Sequence, residues 1–150
     1  MKNTIAFLLL SQILISSTCR KESENCHQKI QFKNNSSGSI FIQESYQYPK
    51  TSLAGPYAPF PSPLSQPQIY EVKPAETNTE ATRTRGGDCI ETARFGTDRI
   101  PSGITMIYVF DANILSTVPW DTIRKHNMYL KRYDLSLQDL KNSNWIITYP

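Results

Sequence analysis

Histidine is scarce in this chain of 150 residues, which has only His27 and His126. The common hydrolytic enzymes need a base held by an orienting partner, and neither histidine has a motif around it. His27 follows Cys26 near the amino terminus. His126 ends a stretch that reads as a helix, where the negative end of the helix dipole accounts for a basic residue. Asp121 and His126 are five positions apart and do not share a helical face. Cysteine is nearly as rare: Cys19, Cys26 and Cys89 lack the paired spacings of zinc sites. Glycine-rich phosphate loops are absent, and Asp88, Glu91, Asp98 and Asp111 are scattered as surface acids are. No catalytic residue, metal ligand or cofactor is expected. A thiol-dependent hydrolase centred on Cys89 in "GGDCIE" is the least favoured reading.

An excess of one charge is missing too. Sixteen basic and thirteen acidic residues leave a net charge of +3, too small and too dispersed for nucleic-acid binding. Arg83 and Arg85 before Gly86-Gly87 form a single RGG-like copy, which reads as a solvated loop. Internal repeats are absent, and beyond the amino terminus no run is apolar enough to span a membrane.

What is present begins with "MKNTIAFLLLSQILISST", where Lys2 precedes an uncharged apolar run from Ile5 to Ile15. That run is too short for a hydrocarbon core of about 30 Å. A basic residue, a short apolar core and closing small residues have the form of an export signal over residues 1–18. Its removal leaves 150 − 18 = 132 residues, the length of one domain. Three cysteines in an exported chain leave one to explain. If Cys19 is modified, Cys26 and Cys89 remain to pair, closing 89 − 26 = 63 residues of chain. Loop-closure entropy gives such a bridge about 4 kcal/mol. Alternatively Cys19 and Cys26 pair locally and Cys89 is a buried thiol.

"LISSTC" resembles the lipobox at which bacterial lipoproteins are cleaved and acylated on cysteine, although Ser16 and Thr18 depart from its usual residues. The charged run Arg20 to Glu24 is similar to the export tag of surface lipoproteins in Bacteroides-type bacteria. "IQFKNNSSGSIFI" and "LKRYDLSLQDLKNSNWIITYP" likewise resemble small, uncharacterised envelope lipoproteins of these bacteria. The resemblance implies lipidation at Cys19, a tether over residues 19–28 and an outer-membrane location, on the periplasmic or surface face. Plain secretion is the alternative. The lipid would make the membrane one partner, with an envelope protein or glycan as another. Asp121-Thr122-Ile123 is similar to the O-glycosylation tripeptide of the same bacteria, with Thr122 as acceptor. As the start of a helix it needs no such role.

Residues 29–150 are expected to form one domain. Lys29 to Lys33 alternates as a half-buried strand does, "NNSSG" is turn chemistry, and Ile40-Phe41-Ile42 resumes. Residues 29–46 therefore read as a hairpin. The sequon at Asn34 reads as part of the turn. The loop at 47–68 holds Pro49, Pro56, Pro59, Pro61, Pro63 and Pro67, which exclude an interior strand or helix. Tyr46, Tyr48, Tyr57 and Phe60 either pin this loop to the domain or, with Trp120, present a glycan- or peptide-binding surface. Pinning is the favoured reading.

Strands are expected at Gln68–Val72, Cys89–Phe95, Met128–Tyr133 and over "WIITYP". The strongest is "ITMIYVF" (Ile104 to Phe110), apolar enough to be buried on both faces. One short helix follows in "STVPWDTIRKHN", with Thr117 as cap. A second begins at Ser136, where Asp139 completes a capping box and Leu135 and Leu140 a hydrophobic staple. The expected fold is mainly β, with α+β as the alternative: an antiparallel β-sandwich-like domain with two short helices near the C-terminus. Its predicted core is Phe32, Ile40, Ile42, Met106, Tyr108, Phe110, Leu130, Trp145 and Ile147. The function expected is that of a non-enzymatic interaction or accessory module of the cell envelope, with a ligand-binding module as the alternative.

Overall fold

A computed structural model describes residues 22–54 and 61–150. The expectations for Cys19, Tyr57 and Phe60 fall outside those residues. The described strands are β1 (Gln31–Asn34), β2 (Ile40–Ser45), β3 (Glu71–Val72), β4 (Thr77–Asn78), β5 (Ile104–Asp111), β6 (Lys131–Ser136) and β7 (Ile146–Tyr149). They form a three-stranded sheet ordered β4-β1-β7 and a four-stranded sheet ordered β3-β2-β5-β6. Every pairing is antiparallel except β1 with β7, which is parallel. With a few short helices, this is the mainly β or α+β domain that the strand pattern predicts.

The hairpin expected over residues 29–46 does not form, because β1 and β2 enter different sheets. Asn34 directs the change. Its side chain is fully buried. Its Nδ2 donates to the carbonyls of Gly38 and Val72 at 2.8 and 2.9 Å, and its Oδ1 accepts from the Ser36 backbone N–H at 2.9 Å. An amide so satisfied makes the local turn itself. It carries the chain across the sandwich, so that Phe32 meets Ile40 and Ile42 through a shared core instead of a ladder.

Alternation along β5 then defines three layers. Ile107 and Val109 face the three-stranded sheet, packing with Ile30, Phe32, Trp145 and Ile147. Met106, Tyr108 and Phe110 face the other way and are covered by Leu53, Leu115 and Ile123. The last two lie on helices α2 (Ala112–Thr117) and α3 (Trp120–His126), which follow α1 (Pro67–Tyr70). A strand buried on both faces reads as a near-continuous apolar run, and β5 does from Met106 to Phe110.

Several local expectations are corrected. Gln68–Tyr70 lies in α1, and only Glu71–Val72 is strand, because Pro67 suits a first helical turn and has no N–H for a ladder. Three helices follow β5. Thr117 ends α2 and does not cap α3. Asp111 caps α2, its Oδ1 accepting from Asn113 and Ile114 N–H groups at 2.7 and 3.0 Å. The third helix, α4 (Leu137–Asn142), has the expected capping box of Ser136 and Asp139 and a buried Leu140. Strand β6 starts only at Lys131. Leu130 accordingly lies outside the core at 48% exposure, and Tyr129 instead meets the Tyr108 ring edge-on at 5.2 Å. Strand β7 starts one residue later than expected, at Ile146, yet Trp145 and Ile147 are buried and Ile146 is exposed, as read.

The layering sets a contrast for mutation. Ile107→Ala opens a cavity between the sheets and is expected to cost about 3 kcal/mol. Leu130→Ala is expected to change stability by less than about 0.5 kcal/mol. Urea denaturation midpoints of the two variants compare them directly.

Candidate functional site

The end of the expected tether folds onto the domain. Cys26 and Cys89 form a disulfide across a sequence separation of 63. Of the two pairings open from the sequence, this is the one present. It also removes the Cys89 thiol that a cysteine hydrolase would use. From the bridge onward the chain is stitched to residues 82–91. The Ile90 N–H donates to the His27 carbonyl at 2.6 Å, the Thr84 N–H to that of Gln28 at 2.8 Å, and Thr82 Oγ1 to that of Ile30 at 2.6 Å. Residues 26–28, expected in the tether, therefore belong to the folded body.

His27 closes this seam. Its Nδ1 lies 2.6 Å from Glu91 Oε1, its backbone N–H donates to Oε2 at 3.0 Å, and its ring stacks on Trp145 with centroids 4.2 Å apart. Burial raises the Glu91 carboxyl, but hydrogen bonds from the His27 ring and backbone outweigh it, and the net position is below the ordinary carboxylate range. Trp145 holds a left-handed backbone at φ 61°, a conformation strained for a bulky residue. Its N–H, donating to the Leu140 carbonyl at 2.8 Å, and its buried ring maintain it. Beside the stack is a cleft of about 410 Å³ reaching Lys141 and Asn144.

Cys89–Phe95, expected as a strand, is helical. The Cys89 carbonyl accepts from the Ala93 N–H at 2.8 Å, and a π-helical segment spans Glu91–Phe95. The wide turn delivers Arg94 into the end of the sandwich. Arg94 Nη1 donates to both oxygens of Glu44 at 2.6 and 2.7 Å, and Nη2 to the Thr82 carbonyl at 2.5 Å. Thr105 Oγ1 and the Tyr46 hydroxyl also donate to Glu44, at 3.0 and 2.9 Å. Both charged side chains are only 7% exposed. Burial pushes the Glu44 carboxyl up, opposed by the Arg94 guanidinium and these hydrogen bonds. Burial and the adjacent Glu44 carboxylate also push the Tyr46 phenol up.

Next to the pair opens a cavity of about 420 Å³, walled by Arg83, Arg85, Arg94 and Arg99 with Tyr46 and Asp88. Arg83 is bound to Glu80 at 2.8 Å, and Arg94 is committed to Glu44. Arg85 begins a tight turn in which Gly86 and Gly87 have φ of 70° and 77°, the region that favours glycine.

Among the described residues, the expected binding aromatics Tyr46 and Trp120 do not share a surface. Tyr46 lies under Arg94, 5.7 Å from ring centroid to guanidinium carbon. Trp120 packs edge-on against Phe110 at 5.5 Å, on the opposite face of the four-stranded sheet. Tyr48 is 37% exposed. The described part of the Pro-rich stretch is held at Leu53, whose N–H donates to Asn127 Oδ1 at 2.8 Å and whose carbonyl accepts from Arg124 Nε at 3.0 Å. The Gln43 amide further donates to the Pro61 carbonyl at 3.1 Å. Thr122 is exposed in the first turn of α3. Sequence reasoning missed Glu44, Arg94, Arg99 and the His27–Glu91 contact. One signal was available: Glu44 follows Ile40 and Ile42 on the inward face of its strand, where a charge needs a buried partner. Compared with known protein families, curated proteins and solved structures, the chain matches none.

Two outcomes follow from the ionic contacts. Arg94→Met strands a buried carboxylate and is expected to cost about 3–5 kcal/mol, while Arg94→Met with Glu44→Leu recovers most of it. Guanidinium unfolding of the single and double variants checks this. A carboxyl that titrates lower in the fold than in the unfolded chain contributes stability above its unfolded value, lost as pH falls. The Glu91 contribution is therefore expected to fade as pH drops below its model-compound value of 4.5. Glu91→Gln should flatten that part of the profile and cost about 1–2 kcal/mol at neutral pH. Thermal melts across about pH 3–7 measure both effects.

Proposed function

We propose that the protein is a cell-envelope lipoprotein, anchored through acylated Cys19, whose β-rich domain serves as a non-enzymatic interaction module. The observation that carries this reading is the Cys26–Cys89 disulfide. It uses two of the three cysteines and leaves Cys19 as the one over, at the end of the export-signal-like segment and within the lipobox-like "LISSTC". A bridge of this kind also suits an oxidising compartment. The chain already meets the body at Glu22, whose Oε1 accepts from the Gln28 N–H at 3.2 Å, so the spacer between acyl chain and domain would be short.

The bridge supports anchoring in a second way. Cys19 and Cys26 are close in sequence and could pair locally, but Cys26 is already engaged with Cys89. A single acyl chain holds a protein only marginally at a membrane. Stable anchoring at Cys19 therefore calls for the multiply acylated cysteine of bacterial lipoproteins, a chemistry the lipobox resemblance implies. The partner, an envelope protein or a glycan, would meet the domain and not the tether.

Mass spectrometry of the mature amino terminus tests the anchor. The expected result is cleavage before Cys19 with acyl chains on that residue, and movement of the Cys19→Ser variant out of the membrane fraction. An unacylated Cys19 on a freely secreted protein overturns it.

A further inference from the structure

The arginine-walled cavity has an unequal balance of charge. Of its four guanidinium groups, Arg83 is neutralised by Glu80 and Arg94 by Glu44. Among the described residues, the guanidinium groups of Arg85 and Arg99 have no hydrogen-bond or ion-pair partner, and neither has the Asp88 carboxylate. Two uncommitted cations and one uncommitted anion thus face a space of about 420 Å³. That is the lower end of small-ligand pocket sizes, about 300–1,000 Å³, and fits one sugar-sized molecule.

The surrounding structure holds the backbone that carries these groups. Thr84 Oγ1 donates to the carbonyls of Asp88 and Gln28 at 2.5 and 3.1 Å, tying the Arg85 turn to the disulfide-clamped segment. Ile100, buried at 3% exposure, anchors the turn that carries Arg99. Arg94, equally buried, forms a fixed back wall whose own charge is already met. The uncommitted arginines are therefore displayed on a braced rim.

We infer that this cavity binds a hydroxyl-bearing oxyanion, a sugar acid or sugar phosphate, with Arg85 and Arg99 gripping the oxyanion and Asp88 accepting from a hydroxyl. Guanidinium forks match carboxylate and phosphate oxygens geometrically. A bare anion would be repelled by Asp88, whereas a sugar acid supplies both the charge and the O–H donors. The inference goes beyond membrane tethering and does not depend on it, so acylation at Cys19 and occupancy of the cavity fail separately.

Calorimetric titration of the purified full chain with glucuronate, glucose 6-phosphate and glucose tests it. Saturable binding of either anion is expected, with little binding of glucose. Binding of glucuronate alone identifies a carboxylate ligand, of glucose 6-phosphate alone a phosphate ligand, and both support the site. The exposed pair Arg85→Gln, Arg99→Gln should weaken the anion at least about tenfold, since two charge-assisted hydrogen-bonding groups are lost. Lys33→Gln, Lys125→Gln removes the same charge elsewhere and should leave affinity unchanged, and unaltered melting temperatures show that both variants fold. No saturable signal at about 10 mM anion, equal binding of glucose, or anion affinity undiminished in Arg85→Gln, Arg99→Gln overturns the inference.

Discussion

The covalent link between Cys26 and Cys89 is the constraint on which the irregular half of the domain depends. Between β4 and β5, residues 79–103 contain only a tight turn and a single π-helical segment. A stretch so poor in ladder hydrogen bonds needs other anchors, because each ordered residue costs about 1–2 kcal/mol of backbone entropy. The bridge contributes about 4 kcal/mol by limiting the unfolded chain. It also places the 26–30 segment where its carbonyls accept from Thr82, Thr84 and Ile90. Without that edge those donors would be left without partners in a partly buried seam.

The Arg94–Glu44 pair, with the buried Ile90, is where this irregular stretch enters the sandwich. Buried ion pairs contribute little net stability against a hydrophobic replacement, because desolvating two charges offsets their attraction. What the pair does supply is a single allowed position. Glu44 takes hydrogen bonds from Arg94, Thr105 and Tyr46, and Arg94 also reaches the Thr82 carbonyl. The π-helical segment, the end of β2 and the start of β5 are thereby fixed relative to one another, which a greasy contact would do less uniquely. The same pair neutralises the deepest guanidinium of the cavity and leaves the rim arginines to set its charge.

How far the fold was legible in the sequence follows from whether each signal was local. The central position of β5, the capping box at Ser136 and the inward Trp145 and Ile147 all rest on residue type and spacing within one element, and all were read correctly. The hairpin failed because Asn34 satisfies its amide against Val72, 38 residues away, a contact no local pattern announces. Cys89–Phe95 failed because strand propensity was outweighed by the bridge at its first residue and the burial of Arg94. For the site, the cysteine pairing was one of two readings open. Arg83 and Arg85, read as a solvated loop, are exposed, but the pairing of Arg94 with Glu44 was invisible because the two are fifty residues apart.

The disulfide and the cavity are linked through one short segment of chain. Thr84 tethers the Arg85 turn to the Gln28 carbonyl, and Gln28 lies two residues from Cys26. In a reducing environment the 26–30 segment would lose its covalent hold and depend on non-covalent contacts such as the His27–Glu91 bond, the His27–Trp145 stack and hydrogen bonds to Thr82, Thr84 and Ile90. Those are individually worth about 1–2 kcal/mol, less than the loop-closure term they would have to replace. The rim on which Arg85 stands is thus best ordered where disulfides persist, and a domain exported to such a compartment carries a pre-shaped cavity that the cytosolic form of the same chain would hold less firmly.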